Sequence, residues 1–393
     1  MHQSTLTGRS VDVLLRPAPH AMVWSGVGQP HDQLAVPGVS LAPGDVLVEI
    51  ELATVCGSDL HTVRGDRGAA TPLVLGHEQI GRVVALGENA RTAVGVPLAL
   101  GDRIVWTVTV SCGLCDRCRA GLTQKCRTLA KYGHDRVHRG WELSGGFATH
   151  VHVLAGSPIV IVDDAIPAEV AAPASCATAT VAAALAAASA VVPLKGATIL
   201  VSGAGLLGLT ACAMATDAGA SVIVTDPDPA RRRRALAFGA AAVADPLAAS
   251  ASPTGLAAVS GGMIAAGADE VSIALELSGA PAAVRTTIDT VGVGGVVILV
   301  GSVSPGASVP LDPESIVRRL ITIRGVHNYT ATDLERAVTY LAGAWRRHPF
   351  AELVGERFAL HDLDAALERA AKGHDVRVGI DPRLADSNGN PAE

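Results

Sequence analysis

Between Ala197 and Asp226 the chain reads A-T-I-L-V-S-G-A-G-L-L-G-L-T-A-C-A-M-A-T-D-A-G-A-S-V-I-V-T-D. The apolar run up to Ser202 has the composition of a buried strand. Gly203, Gly205 and Gly208 then turn directly into an apolar helical stretch through Leu206 and Leu207, and S-V-I-V-T closes a second strand on Asp226. A glycine triplet of this spacing is weak alone. Set between a strand and a helix, with an acid ending the next strand, it is the fingerprint of a dinucleotide-binding fold. The glycines let the backbone approach the pyrophosphate, which rests on the helix N-terminus, and the acid takes the ribose hydroxyls. Further strands are expected over 271–277, 296–300 and 321–325 with helices between them. The class is therefore α/β, with a Rossmann doubly wound parallel sheet. The Ala/Ser/Gly-rich stretch 241–268 is assigned only loosely, to helix and loop. Asp226 disfavours a 2′-phosphate and so points to NAD; the run Arg231–Arg234 argues for NADP, but reads as a solvated helix face set apart by Pro227 and Pro229. NAD is favoured over NADP.

Before this region the pattern is different. Short β-type runs over 46–52, 80–86 and 103–110, punctuated by Gly81, Gly87, Gly95 and Gly101, suggest an antiparallel, barrel-like domain. Between its strands lie V-C-G-S-D-L-H at 55–61 and G-H-E at 76–78. Cys56 and His77 are the thiolate and imidazole that Zn²⁺ prefers, and Ser58, Asp59 and His61 could move a proton or hold a ligand in place. A catalytic zinc needs three protein ligands and one open position, so a third ligand must come from elsewhere in the chain. Cys112, Cys115, Cys118 and Cys126 fall at C-x2-C-x2-C-x7-C spacing. Four thiolates close a tetrahedron, the signature of structural zinc. An iron–sulfur cluster has similar needs at other spacings, and a nucleic-acid zinc ribbon is disfavoured by the charge of the chain. After Gly325 helical patterns at 333–345 and 362–371 follow, and 381–393 reads as a disordered tail.

The 393 residues exceed one ordinary core, and 49% hydrophobic with 17% charged residues suits a well-buried globular protein. A net charge of −6 argues against bulk nucleic-acid binding. The N-terminus has no apolar segment of a signal peptide, so the mature chain is expected to start near Met1. The uncharged stretch Val170–Leu194 is long enough to span a bilayer, but it is mostly alanine and lacks flanking Lys/Arg, and reads as a buried helix. The expectation is a soluble, cytoplasmic protein that binds neither membrane nor nucleic acid.

Taken together, V-C-G-S-D-L-H, G-H-E, the four-cysteine lobe and G-A-G-L-L-G resemble the zinc-dependent medium-chain alcohol dehydrogenases over nearly the full chain. The resemblance implies a GroES-like β-rich catalytic domain at 1–178 and 327–393, with a structural-zinc lobe at 111–127, and a Rossmann domain at 179–326. It places the third zinc ligand just before the helix leading into the nucleotide domain, where Cys176 stands; polyol-type relatives carry Glu there. It implies two Zn²⁺ per chain, with NAD contacts from the glycine loop, Asp226 and Thr180, and a homodimer or homotetramer. Zinc on Cys56, His77 and Cys176 would activate an alcohol, whose alkoxide gives a hydride to the nicotinamide, with aldehyde reduction as the reverse. The proton would leave through Ser58 and His61, Asp59 would fix the His77 tautomer, and Glu78 would approach the metal transiently. Gly57 follows the first ligand where some relatives carry an arginine touching the cofactor phosphates, so that contact must come from elsewhere. The runs Q-K-C-R-T-L-A-K-Y-G-H-D, S-G-G-F-A-T-H and C-A-T-A-T-V-A-A-A-L are also similar to a subgroup associated with phosphonate catabolism. That substrate would call for cations, and Arg64, Arg67, Lys131 and His134 lie in suitable segments.

Each residue also has a plainer reading. A lone cysteine is most often a small buried hydrophobe, which is how Cys212 is read. His61 could be a solvated loop histidine, and Ser58 the cap of a helix starting near Asp59. The four cations are by default surface charges. Rival functions are a polyol-type dehydrogenase, a zinc-free quinone or enoyl reductase, for which ligands at 56 and 77 would be unexpected, and a non-catalytic nucleotide or redox sensor on the same fold.

Overall fold

The computed structural model describes residues 8–248 and 256–385. The chain divides into two compact units, Met1–Cys176 with Tyr329–Trp345 and Phe350–Glu393, and Ala177–Asn328 with Arg346–Pro349.

The first unit is built on a seven-stranded sheet. Its order is Ile159–Ile161, Arg103–Trp106, Gln79–Leu86, Val46–Thr54, Arg377–Ile380 and Val354–Phe358, and His150–Val153 also pairs with Val46–Thr54. Most neighbours are antiparallel, with register shifts along Val46–Thr54 that bend the sheet around its core. Trp106, Tyr132 and Phe147 are fully buried there, and Tyr132 meets Trp106 and Trp141 edge-on. The expected strand over 103–110 is two pieces, Arg103–Trp106 and Thr109–Val110, because Thr107 turns its hydroxyl to the Thr109 carbonyl at 2.7 Å. The segment 381–385 is ordered, against expectation. Asp381 is buried, its N–H bonds the Phe358 carbonyl at 2.9 Å and its carboxylate takes Arg383. The rest of the expected tail lies outside the described residues.

The second unit carries a six-stranded, all-parallel sheet in the order Ala242–Ala244, Ser221–Thr225, Thr198–Ser202, Val271–Glu276, Val291–Leu299, Thr322–Gly325. Numbered along the chain this is 3-2-1-4-5-6, the Rossmann order, and strand direction of growth reverses between Thr198–Ser202 and Val271–Glu276. Ala242–Ala244 was not expected to be a strand. Its alanines have little intrinsic β-preference, and only the edge of the sheet, through Ile223, Val224 and Thr225, makes them pair. Most of the helix Ala177–Ser189 is buried, as is Cys212 on Leu206–Asp217. The uncharged stretch 170–194 is not one helix: a 57° bend separates Ala168–Ser175 from Ala177–Ser189. Among the described residues no single helix is long and apolar enough to cross a membrane.

Candidate active site

The strand Val46–Thr54 delivers Cys56 to the start of the helix Gly57–Arg64. Cys56, not Ser58, is the N-cap: the helix begins at Gly57, and the Asp59 carboxylate accepts the Cys56 N–H at 2.9 Å. The capping reading of Ser58 is therefore corrected, and its Oγ instead lies 3.3 Å from His77 Nε2. The G-H-E glycine is required by geometry. Gly76 has φ +88°, and a Cβ there would lie 2.7 Å from the Phe147 nitrogen. Gly133 packs on it from the other side, with φ +71° and a Cβ position 2.5 Å from the Gly76 carbonyl oxygen.

These turns gather Cys56, His77, Glu78 and Cys176, whose ligand atoms all lie within 4.8 Å of one another. Two sulfurs, an imidazole and a carboxylate form a borderline-soft donor set that suits Zn²⁺. The other His77 nitrogen, Nδ1, lies 3.3 Å from Asp59 Oδ1, off the line of a good hydrogen bond. Burial opposes a charged ring, but the Asp59 carboxylate and Cys56 outweigh it and lift His77 to about 10. A hydrogen bond with Cys176 and the charge of Arg377 hold the Cys56 thiol well below its ordinary value, and the same bond with burial raises Cys176. Ser175 is fixed through its carbonyl by the buried Tyr329 hydroxyl, which also accepts the Val108 N–H at 3.2 Å, and this anchors the approach to Cys176.

Arg377 was not singled out from the sequence. It lies 299 residues from Glu78 and meets it at 2.7 and 3.0 Å, while Thr54 Oγ1 donates to the same carboxylate at 2.6 Å. Its Nη2 is 3.8 Å from Cys56 Sγ. Burial alone would make Glu78 reluctant to ionise, and the guanidinium opposes this. The local sequence D-V-R-V-G-I reads as an ordinary strand, and only the pairing of Arg377–Ile380 beside Val46–Thr54 brings the charge to the site.

His61 is at the exposed end of its helix, where its Nδ1 bonds Asp66 at 2.9 Å. Lys131 and His134 are drawn in. The His134 ring lies 4.8 Å from that of His77, and burial, then the charges of His77, Lys131 and Arg67, hold its protonation well below the ordinary range. Burial, then Arg67, brings Lys131 down to about 8, with Cys176 acting in the opposite sense. Tyr132 between them is locked by Ser157 at 2.7 Å and the Leu154 N–H at 2.8 Å. Arg64 instead points along the outside of the helix and donates to the Ala371 carbonyl at 3.5 Å.

Cys112, Cys115, Cys118 and Cys126 form a second cluster with sulfurs 3.4 to 4.0 Å apart along its edges. Backbone N–H groups of Leu114 and Cys115 pull Cys112 down to about 6, which favours the thiolate a metal requires.

In the second unit Gly203 has φ +101°, and a Cβ on Gly208 would lie 1.8 Å from the Gly203 carbonyl oxygen. A Cβ on Gly205 would meet nothing within 4 Å. The outer glycines thus close the turn while the middle one leaves room at the head of the helix carrying Leu206 and Leu207, which fits a bound pyrophosphate. Asp226 is buried, accepting the Ala204 N–H at 2.8 Å and the Asp228 N–H at 2.9 Å, with acceptor capacity left for a ribose hydroxyl. The arginine run is not simply a solvated face: Arg232 bonds the Asp226 and Pro227 carbonyls at 2.6 and 2.9 Å and Asp245 at 3.1 Å. Thr180 is half-buried on Ala177–Ser189.

A barrel-type domain with two cysteine-containing clusters, joined in one chain to a Rossmann sheet, defines a metal-dependent dehydrogenase. Residues 42–163 match the model of the alcohol dehydrogenase GroES-like domain, and 207–343 match that of the zinc-binding dehydrogenases. The chain belongs to the zinc-dependent medium-chain dehydrogenase family, oxidoreductases that act on CH–OH groups with a nicotinamide dinucleotide. It is 32% identical over 354 residues to L-threonine 3-dehydrogenase of Streptomyces avermitilis, covering 88% of this chain and 94% of that one. An alcohol dehydrogenase structure from Thermotoga maritima superposes with a TM-score of 0.84 at 27% identity, covering 92% of this chain and 99% of the other. A zinc-binding dehydrogenase structure from Sinorhizobium meliloti bound to NADP gives 0.77 at 26%, covering 93% and 99%.

Proposed function

We propose that this chain is an NAD(H)-dependent zinc alcohol dehydrogenase and aldehyde reductase acting on a small alcohol that carries an anionic group, a hydroxyalkylphosphonate foremost. The observation that carries the reading is the convergence of Cys56, His77 and Cys176, with Glu78, within 4.8 Å. Cys56, His77 and Cys176 would hold the catalytic zinc and the four-cysteine lobe a structural one. Zinc in the first set supplies Lewis-acid activation of the alcohol, and the dinucleotide accepts the hydride. Asp59, 3.3 Å from Nδ1, would steady the His77 ring through its charge, and Ser58, 3.3 Å from Nε2, would take the substrate proton. His61, half exposed and steadied by Asp66, is suited to pass a proton to solvent. Glu78, held by Arg377 and Thr54, stands ready to approach the metal. Gly203, Gly205, Leu206, Leu207, Gly208 and Thr180 would line the dinucleotide, and Asp226 would favour NAD, with Arg231 at 4.0 Å from it the residue that keeps NADP open.

The anionic substrate is supported by Lys131 and Arg67, which lie close to one another and to His134; burial keeps the His134 ring neutral, so it adds no positive charge. Threonine, the substrate named for the Streptomyces relative, is the second reading; it too carries an anionic carboxylate. Metal analysis by mass spectrometry should give two zinc per chain, falling to one in Cys56→Ser with the fold retained. A turnover panel of simple alcohols, threonine and hydroxyalkylphosphonates with NAD and NADP then decides the substrate. Lys131→Met should raise KM for the anionic substrate about tenfold or more while sparing neutral alcohols. Equal KM changes for both would sink the anion subsite.

A further inference from the structure

Thr198–Ser202 and Val271–Glu276, the strands on either side of the reversal in the parallel sheet, end at the edge where sheets of this order bind dinucleotides. The first runs on into the glycine loop. The second ends on Glu276, a carboxylate wholly removed from solvent. Its Oε1 accepts three hydrogen bonds: the Ser278 N–H at 2.8 Å, the Ser278 hydroxyl at 2.7 Å and the Gly279 N–H at 2.7 Å. Oε2 meets only the Ser302 hydroxyl, at 3.5 Å. The Glu276 carbonyl accepts the N–H groups of Val300 and Gly301, both at 3.0 Å, and the Leu277 N–H donates to the Ser202 carbonyl at 2.9 Å. The loops that leave three neighbouring strands are thus tied together at this one residue.

Ser278 itself is exposed and is held from beneath by the carboxylate. It packs directly on the glycine loop. A Cβ on Gly203 would lie 3.1 Å from both the nitrogen and the Cβ of Ser278, and one on Gly301 2.8 Å from the Ser278 nitrogen. Ser278 therefore occupies the space that Gly203 leaves by having no side chain. In packing this close, a shift of 278–279 is passed to Gly203. From there it reaches the Gly203 carbonyl, on which Gly208 closes at the head of the helix Leu206–Asp217.

We propose that Glu276 is a positioning residue for the dinucleotide: its carboxylate fixes where Ser278 lies against Gly203, and so the shape of the turn that receives the pyrophosphate. The inference rests on the reading of 203–208 as the dinucleotide turn, and it holds whichever alcohol is the substrate.

The test is calorimetric titration of the zinc-loaded protein with NAD, alongside thermal unfolding without it. Glu276→Gln keeps an oxygen for the same three donors and should bind NAD within about twofold of wild type. Glu276→Leu removes the acceptor at similar volume and should weaken NAD about tenfold or more. Ile273→Ala, earlier in the same buried strand, controls for lost stability alone: its melting temperature should fall while NAD affinity stays within about twofold of wild type. Ser278→Ala, at an exposed position, removes one of the three donors and should weaken NAD about threefold with the melting temperature unchanged, which keeps the test open if Glu276→Leu does not fold. Equal loss of affinity in Glu276→Leu and Ile273→Ala, or in Glu276→Leu and Glu276→Gln, overturns the proposal, as does unchanged affinity in Ser278→Ala. Gly205→Ala tests the turn by itself: if it binds NAD as tightly as wild type, the reading of the turn and this proposal fall together.

Discussion

Arg377 and Glu78 form a charge pair shielded from solvent directly behind the Cys56 sulfur. Removing one member of such a pair leaves the other charge buried without compensation, a loss of about 3 kcal/mol. Arg377→Met should lower unfolding free energy in urea by that order, and Arg377→Met with Glu78→Gln should recover part of it. If the double variant were no more stable than the single one, the pair would not be the source of the loss. The same residue shows how far the local sequence reaches. Cys56 and His77 were legible because a thiol and an imidazole in neighbouring turns have few other reasons to occur together, whereas Cys176 was set beside them only by the family resemblance. An arginine in a strand has many, and nothing in its neighbours announces a partner 299 residues away.

At the scale of one element, the three glycines of the 203–208 loop do different work. Gly208 cannot carry a side chain without striking the Gly203 carbonyl, whereas Gly205 faces open space. Gly208→Ala should therefore lower the melting temperature together with NAD affinity. Gly205→Ala should leave the melting temperature within a degree or so of wild type and weaken NAD binding by about tenfold, since only the ligand meets the new methyl. Thermal unfolding alongside calorimetric titration separates the two, and a matched fall in both properties for Gly205→Ala would contradict the division of roles. The helix Gly57–Arg64 makes a related point. The plainer reading of Ser58, a common capping residue, made it the cap of a helix starting near Asp59, while the chain caps the helix at Cys56 with Asp59 reaching back. Cysteine is not read as a cap because its usual value elsewhere is as a hydrophobe or a ligand.

At the scale of the whole molecule, the two buried histidines His134 and His150 make acid costly. Burial brings His150 down to about 4 and holds His134 well below its ordinary value. An unfolded histidine takes its proton near pH 6.5. Between about 6.5 and 4 the unfolded chain thus binds more protons than the native one, and stability falls as the pH falls. For His150 the loss is at most about 3 kcal/mol, less what partial solvent contact screens. Urea unfolding at pH 7 and at pH 5 should show it, and His150→Gln should flatten the difference; an unchanged slope would place the acid sensitivity elsewhere. By itself the sequence determined the α/β class, the parallel dinucleotide-binding sheet and the clustering of metal-type residues, because glycine punctuation, apolar period and thiol spacing are local constraints that survive without a fold. Only the tertiary structure decided that Arg377 backs the cluster, that Lys131 turns inward while Arg64 turns outward, that alanines 242 and 244 sit on a sheet edge, and that residues 381–385 are tied down. Those depend on which distant strand lies alongside, and pairing energy between distant segments leaves no mark on the composition of either one.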